Sequence, residues 1–284
     1  MDPSSIPTNA MTVDVEDYFQ VSAFERYLPR DDWKTIQTRV ERNVDTILEM
    51  FAAQGVKATF FTLGWIAEKH PQMVKKIAAD GHEVASHGWS HVRVTQQNRQ
   101  QFQEDVTRTK GYLEDLISKP VLGYRAASYS IGEGNLWALD VLRETEHRYS
   151  SSIFPIKHDL YGMPDAPRFA FHPHDDDFVE FPVTTVNIAN RNLPCAGGGW
   201  FRLIPYAGMR WAMRRVNRLD RQSVIFYFHP WEIDPEQPRV KGLDAKTRFR
   251  HYLNLDRTRD RLDRLLVDFR WGRMSDLLDE LPLK

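Results

Sequence analysis

Short apolar runs alternate along this chain with stretches of helical periodicity, and this alternation is what most restricts the fold. Met11–Val15 has strand character. Val44, Ile47, Leu48 and Phe51 then recur at i, i+3, i+4 and i+7, the stripe of an amphipathic helix, with Gly55 placed to end it. Lys57–Leu63 (KATFFTL) reads as a strand, and a helix follows from Pro71, a favoured first helical residue, through Ala79 to a stop at Gly81. The pattern continues with strand Glu83–Ser86, helix Phe102–Ile117, strand Val121–Arg125, helix Leu136–Leu142 and a strand around Tyr149–Phe154. Lys157–Asp177, rich in Pro, His and Asp, interrupts it as a long loop. Phe178–Val186 returns to strand character. Pro205–Leu219 is an arginine-rich amphipathic helix, Ser223–Phe228 (SVIFYF) a fully buried strand and Phe249–Val267 a long helix. Repeated β-then-α units imply parallel strands with helices outside them. About seven such units favour an α/β barrel over an open sheet, with functional residues where strands end.

At 284 residues the chain fits one such domain, from residue 11 to residue 284, behind a loose tail over residues 1–10. The apolar share of 42% suits a packed globular core. With 38 basic and 39 acidic residues, the net charge of −1 gives no pointer to nucleic acid or an acidic lipid surface. Cys195 is the single cysteine and has no internal partner for a disulfide. The first eleven residues do not read as a secretory signal, and no apolar run approaches the roughly 20 residues of a membrane span. A soluble cytoplasmic protein is the expectation.

Four polar groups fall at strand ends. Asp14, Glu16 and Asp17 (TVDVEDYF) crowd three acids that repel one another unless a cation or an arginine is near. His87 and His91 (SHGWSH) are four apart, a spacing that on a helical turn would place both on one face to chelate a metal. Two histidines with one carboxylate are a common set for a hydrolytic metal. Arg125 (GYRAASYS) can orient a carboxylate through its fork of donors. His229 (FYFHPWE), after the most apolar strand, is a natural proton donor or acceptor. His172 and His174 (FHPHDDD) read as solvated loop charge.

These groups, in this order, resemble the NodB-homology polysaccharide deacetylases, carbohydrate esterase family four. The phrases DVEDYFQ, SHGWSH, GGGWFRLIPY and FHPWEIDPEQPR resemble the subgroup associated with exosortase and exopolysaccharide gene clusters. The resemblance implies a distorted (β/α) barrel of about seven strands. It implies metal-dependent removal of N-acetyl groups from an acetylated polysaccharide or oligosaccharide, with a divalent ion, Zn2+ in expectation. Asp14 looks like the general base, His229 like the general acid and Arg125 like the arginine that orients the base. Ser128 falls where a backbone N–H helps hold the oxyanion. His87 and His91 match the metal-binding pair, and the acid that completes the set is Asp17, with Glu16 as the alternative. Tyr129, Trp200 and Trp231, with Trp89, are candidates to stack on sugar faces. One position departs: the subgroup reads Y-D-S-S-I-F-P where this chain has Ser150. The resemblance gives that aspartate the tuning of the acid histidine, so the task would pass to another acid such as Asp159 or Glu232. The rival expectations are hydrolysis of a small non-sugar C–N bond, as in allantoinase-like relatives, and a catalytically impaired carbohydrate-binding homologue.

Overall fold

A computed structural model describes residues 7–158 and 161–281. Its centre is a sheet of parallel strands: β1 (Asn9–Val15), β2 (Thr59–Thr62), β3 (Glu83–Ser86), β4 (Gly123–Tyr124), β5 (Tyr149–Ser150) and β6 (Val179–Glu180) pair in sequence order. A separate antiparallel hairpin follows, β7 (Thr185–Ile188) with β8 (Arg191–Pro194). The late strand β9 (Ile225–Phe228) returns to pair with β1, and β10 (Trp271–Gly272) pairs with the first residues of β1. The sheet therefore curls into a half-barrel. Gly197 bridges to Tyr227 on the far side of β9. At φ 120° a Cβ there would stand 1.7 Å from the Tyr227 carbonyl oxygen, so only glycine allows this approach.

Helices surround the sheet: α1 (Val40–Ala53), α2 (Gly64–Lys69), α3 (Pro71–Ala79), α4 (Arg99–Ile117), α5 (Trp137–Glu144), α6 (Gly198–Leu203), α7 (Tyr206–Arg215), α8 (Ala245–Tyr252) and α9 (Leu255–Asp268), while α10 (Met274–Asp279) packs Met274, Leu277 and Leu278 into the cluster inside the barrel. The expected long helix Phe249–Val267 is two, α8 and α9, broken where Asn254 adopts φ 51°. The expected strand Phe178–Val186 is likewise divided between β6 and β7, and β1 begins two residues inside the expected tail.

The period of two along each strand sorts side chains between two cores. Met11, Val13, Val15, Val84, Phe226 and Phe228 face the helices in the largest apolar cluster. Ala10, Phe61, Ala85, Tyr149, Val179 and Ile225 pack together in a second cluster inside the barrel. Continuing the inward parity past each strand end gives Asp14 and Glu16 from β1, His87 from β3, Arg125 from β4 and His229 from β9. Parallel strands bring all of these to one end of the barrel.

Candidate active site

Asp14 is 2% exposed and Arg125 is fully buried. Arg125 Nη1 donates to Asp14 Oδ1 at 2.6 Å and to Thr12 Oγ1 at 2.7 Å. Its Nε and Nη2 donate to Ser151 O and Oγ, and its guanidinium lies over the Phe61 ring at 4.0 Å. A fully desolvated cation is tolerated only when its donors are met in this way. One oxygen of Asp14 is thus gripped. The other, Oδ2, lies 3.5 Å from the Tyr129 hydroxyl and 3.9 Å from His229 Nε2.

Beside this pair, Glu16, His87 and His91 offer one ligand atom each within 4.8 Å of one another, all buried. His87 Nδ1–H donates to the Arg125 carbonyl at 2.8 Å, which leaves Nε2 as the lone-pair nitrogen. Burial holds both histidines below the usual imidazole range, so both are neutral, the form that ligates. Burial pushes the Glu16 carboxyl up to about 8 against the opposing charge of His229. Its Oε2 is buried with no hydrogen-bond partner, 3.2 Å from His91 Nε2. Two neutral imidazoles and a carboxylate with an orphaned oxygen fit a divalent cation.

His229 completes the site. Its Nδ1–H donates to Glu232 Oε1 at 2.7 Å, which directs Nε2 to Glu16 Oε1 at 3.0 Å. Arg202, on α6, holds the other Glu232 oxygen at 2.6 Å and is itself fixed by the carbonyls of His251 and Leu253. Burial works to raise Glu232, but Arg202 and His229 hold it down to about 2. Burial works to lower His229, yet Glu16 and Glu232 raise it to about 9.

Three expectations need correction. The acid beside the histidine pair is Glu16, not Asp17. The alternation of the strand turns Asp17 the other way, where it accepts backbone N–H groups from Tyr18, Arg39 and Val40 and so caps the start of α1. The histidine pair is not on a helical turn. It sits on a loop turned by Gly88 at φ 74° and His91 at φ 53°, with rings 5.2 Å apart and the His91 carbonyl pinned by Arg30. Ser150 does not face His229. With Tyr149 pointing into the barrel, Ser150 points out, paired with Glu180 and bonded to Ser152 Oγ at 2.8 Å. Among the described residues the acid on His229 Nδ1 is Glu232; Asp159 lies outside them.

The aromatic candidates also divide. Trp231 is 4% exposed and stacked between His229 and His251, so both of its faces are taken and it cannot be a sugar platform. Trp89 is buried against Gly64 and Tyr112. Trp200, on α6, is partly buried against the outer core. Tyr129 alone stands at the site, and it also lines an open pocket of about 370 Å³ with Gln97, Glu133, Trp137 and Tyr161. Ser128 and Tyr129 both hold positive φ, near 52° and 51°, and Ser128 Oγ meets Ser22 Oγ at 2.7 Å. Such backbone is costly and clusters where function demands it. Sequence reasoning did not single out Arg202, Arg30, Thr12 or Ser151. The phrase GGGWFRLIPY contains Arg202, but nothing local shows which carboxylate it meets.

The strand-end chemistry defines a class: an α/β-barrel protein with a candidate metal-hydrolase centre. Comparison with known proteins then gives the family. The family model described as Polysaccharide deacetylase matches residues 27–150, and one described as a domain of unknown function, DUF3473, matches residues 151–279. Residues 27–150 thus carry a polysaccharide deacetylase (NodB-homology) domain, and the second match fits the exopolysaccharide-associated subgroup of such proteins. It is 36% identical over 138 residues to a peptidoglycan-N-acetylglucosamine deacetylase, PgdA, of Listeria monocytogenes, over 44% of this chain and 28% of that protein. It is 36% identical over 63 residues to a chitooligosaccharide deacetylase of Rhizobium leguminosarum, over 22% of this chain and 29% of the relative. The chain thus spans under a third of these relatives' lengths. A crystal structure assigned as a polysaccharide deacetylase of Mycobacterium smegmatis superimposes with TM-score 0.66 at 17% identity, over 100% of this chain and 95% of that one.

Proposed function

We propose that this protein hydrolyses N-acetyl groups of an amino-sugar polymer, of the exopolysaccharide type, with a divalent ion of the zinc kind held by Glu16, His87 and His91. The carrying observation is the convergence at one barrel end of three groups: an arginine-gripped carboxylate, a neutral His–His–Glu donor set and a carboxylate-held histidine. A cation bound there supplies polarisation of the acetyl carbonyl and a more acidic water. Asp14 is the general base: Arg125 fixes Oδ1, and Oδ2 takes the proton from water. His229 is the general acid. Glu232 fixes its proton on Nδ1, so Nε2 faces the mouth to protonate the departing amine. The N–H of Ser128 is the oxyanion donor in this reading, carried by the strained turn at Ser128 and Tyr129.

The test is acetate release from N-acetylglucosamine oligomers by the purified protein, before and after chelation and again after zinc is restored. We expect release that chelation abolishes and zinc recovers. Release that survives full chelation removes the metal from the reading. A protein that binds the oligomers in its metal-loaded form without releasing acetate is a binding homologue, and the deacetylase reading falls.

A further inference from the structure

The overall charge of −1 conceals a strong local asymmetry. Between Tyr206 and Gln222 the chain carries five arginines and a single acid, Asp220, which Arg168 engages at 2.9 Å. Met209, Ala212, Met213 and Val216 are the buried side of this segment. Trp211, Arg214, Arg215, Arg218 and Leu219 recur on the other side, at spacings of three, four and seven. Trp211 is 53% exposed and Leu219 is 65% exposed. Next to them Arg214, Arg218, Val267, Phe269 and Arg270 line a depression of about 220 Å³, and Val267 is 70% exposed.

The acid at this depression, Asp268, is already shared by Arg210, Arg214 and the Tyr206 hydroxyl. Arg218 and Arg270 have no ion-pair partner among the described residues. Asp263, one turn back from Val267 on α9, is the nearest exposed acid along that helix. Exposed apolar and cationic side chains are therefore interleaved on one surface.

This surface is at the opposite end of the barrel from the catalytic residues. Gln222 leads into β9, and Arg270 immediately precedes β10, so the patch borders the strand starts. Asp14, His87, Arg125 and His229 are at the strand ends.

We propose that this face docks the protein peripherally on a bilayer containing anionic phospholipid. Arg218 and Arg270 meet the headgroup phosphates, and Trp211, Leu219 and Val267 enter the headgroup–acyl boundary. A soluble polyanion would use the arginines and leave three apolar side chains in water, whereas a bilayer surface takes both. Arginine suits phosphate through its fork of donors, and tryptophan suits the interfacial depth. Docked this way, the protein turns its catalytic mouth away from the membrane, toward a polymer in the aqueous phase.

Co-sedimentation of the full chain with vesicles tests this. We expect retention on mixed phosphatidylcholine–phosphatidylglycerol vesicles, little on pure phosphatidylcholine, and a fall in retention as salt rises. Arg218→Gln with Arg270→Gln should weaken retention about 25-fold, roughly fivefold for each charge near an anionic surface, with the thermal melt unchanged. Should that double variant fail to fold, Trp211→Ser replaces it, and loss of retention at unchanged melting temperature is then expected. Equal retention on neutral vesicles, no retention on either, or retention indifferent to these substitutions overturns the proposal. Capture by dextran sulfate without vesicle binding reassigns the patch to an anionic polymer and overturns it equally.

Discussion

The two halves of the chain build adjoining walls of one mouth, and they hold their proposed reacting groups differently. In the half up to residue 150, the arginine touches the proposed base itself: Arg125 grips Asp14. In the half from residue 151 on, matched by a domain of unknown function, the arginine acts at one remove: Arg202 grips Glu232, and Glu232 holds His229. Each wall thus rests on a buried arginine–carboxylate pair. A base needs one oxygen free and one fixed, and a single bidentate-capable partner beside it suffices. A histidine acid needs its proton placed on a chosen nitrogen and its charge supported, and a carboxylate does both only if something anchors that carboxylate. The second segment is therefore no appendage. It adds β9 beside β1 and brings the proposed acid with its support.

This contrast can be broken at several points, and the largest effect is expected at the base. Asp14→Asn should lower the deacetylation rate roughly 10²- to 10⁴-fold, the usual range for a lost proton-transfer group, with metal content retained. A rate near wild type would place the base elsewhere and undo the first wall.

Glu16→Gln comes next. It removes a proposed ligand, so zinc affinity measured by competition with a chelator should fall by more than the roughly 10- to 100-fold typical of losing an outer partner. Undiminished affinity would return the ligand role to another acid.

Glu232→Gln probes the support of the second wall. We expect kcat/KM to drop about 10- to 100-fold, less than loss of the acid itself, with zinc still bound. An unchanged kcat/KM would mean that His229 needs no carboxylate, and that the symmetry of the two walls is accidental.

Asp17→Ala should keep its metal yet lose about 1–2 kcal/mol of stability in chemical denaturation, as for a lost helix cap. If it loses metal instead, the assignment of Glu16 and Asp17 is reversed. The smallest effect is expected from Ser150→Ala, which removes one buried hydrogen bond at about 0.5–1.5 kcal/mol and leaves the pH–rate profile where it was. A displaced profile would show that Ser150 does couple to His229 despite pointing out of the barrel.

Most of the site was legible in the sequence because its residues sit at the ends of apolar strands inside distinctive phrases: Asp14, His87, His91, Arg125 and His229 are all in the mouth. The choice between Glu16 and Asp17 was legible too, through parity. Glu16 is two residues from Asp14 and, just past the end of β1, keeps to its side, whereas Asp17 does not. Weighing residue type above parity led to the wrong neighbour. Ser150 fails for the same reason: Tyr149 takes the inward position, so a departure at residue 150 falls behind the wall. Trp231 looked available only because its two flanking imidazoles come from positions 229 and 251, and the second is distant in sequence.

By itself the sequence determined the alternation of strands and helices, the parallel sheet that follows from it, and the end of the barrel where the chemistry collects. These are local matters of period, apolar runs and strand direction, and each can be read within a short window. Only the tertiary structure decided that Arg202 supports Glu232 across 30 residues, that Asp17 caps a helix 22 residues away, and that Arg218 and Arg270 line one depression with Val267. Such pairings are set by how the chain returns on itself when the half-barrel closes. A charge or an aromatic ring carries no local mark of the partner that this closure will bring to it.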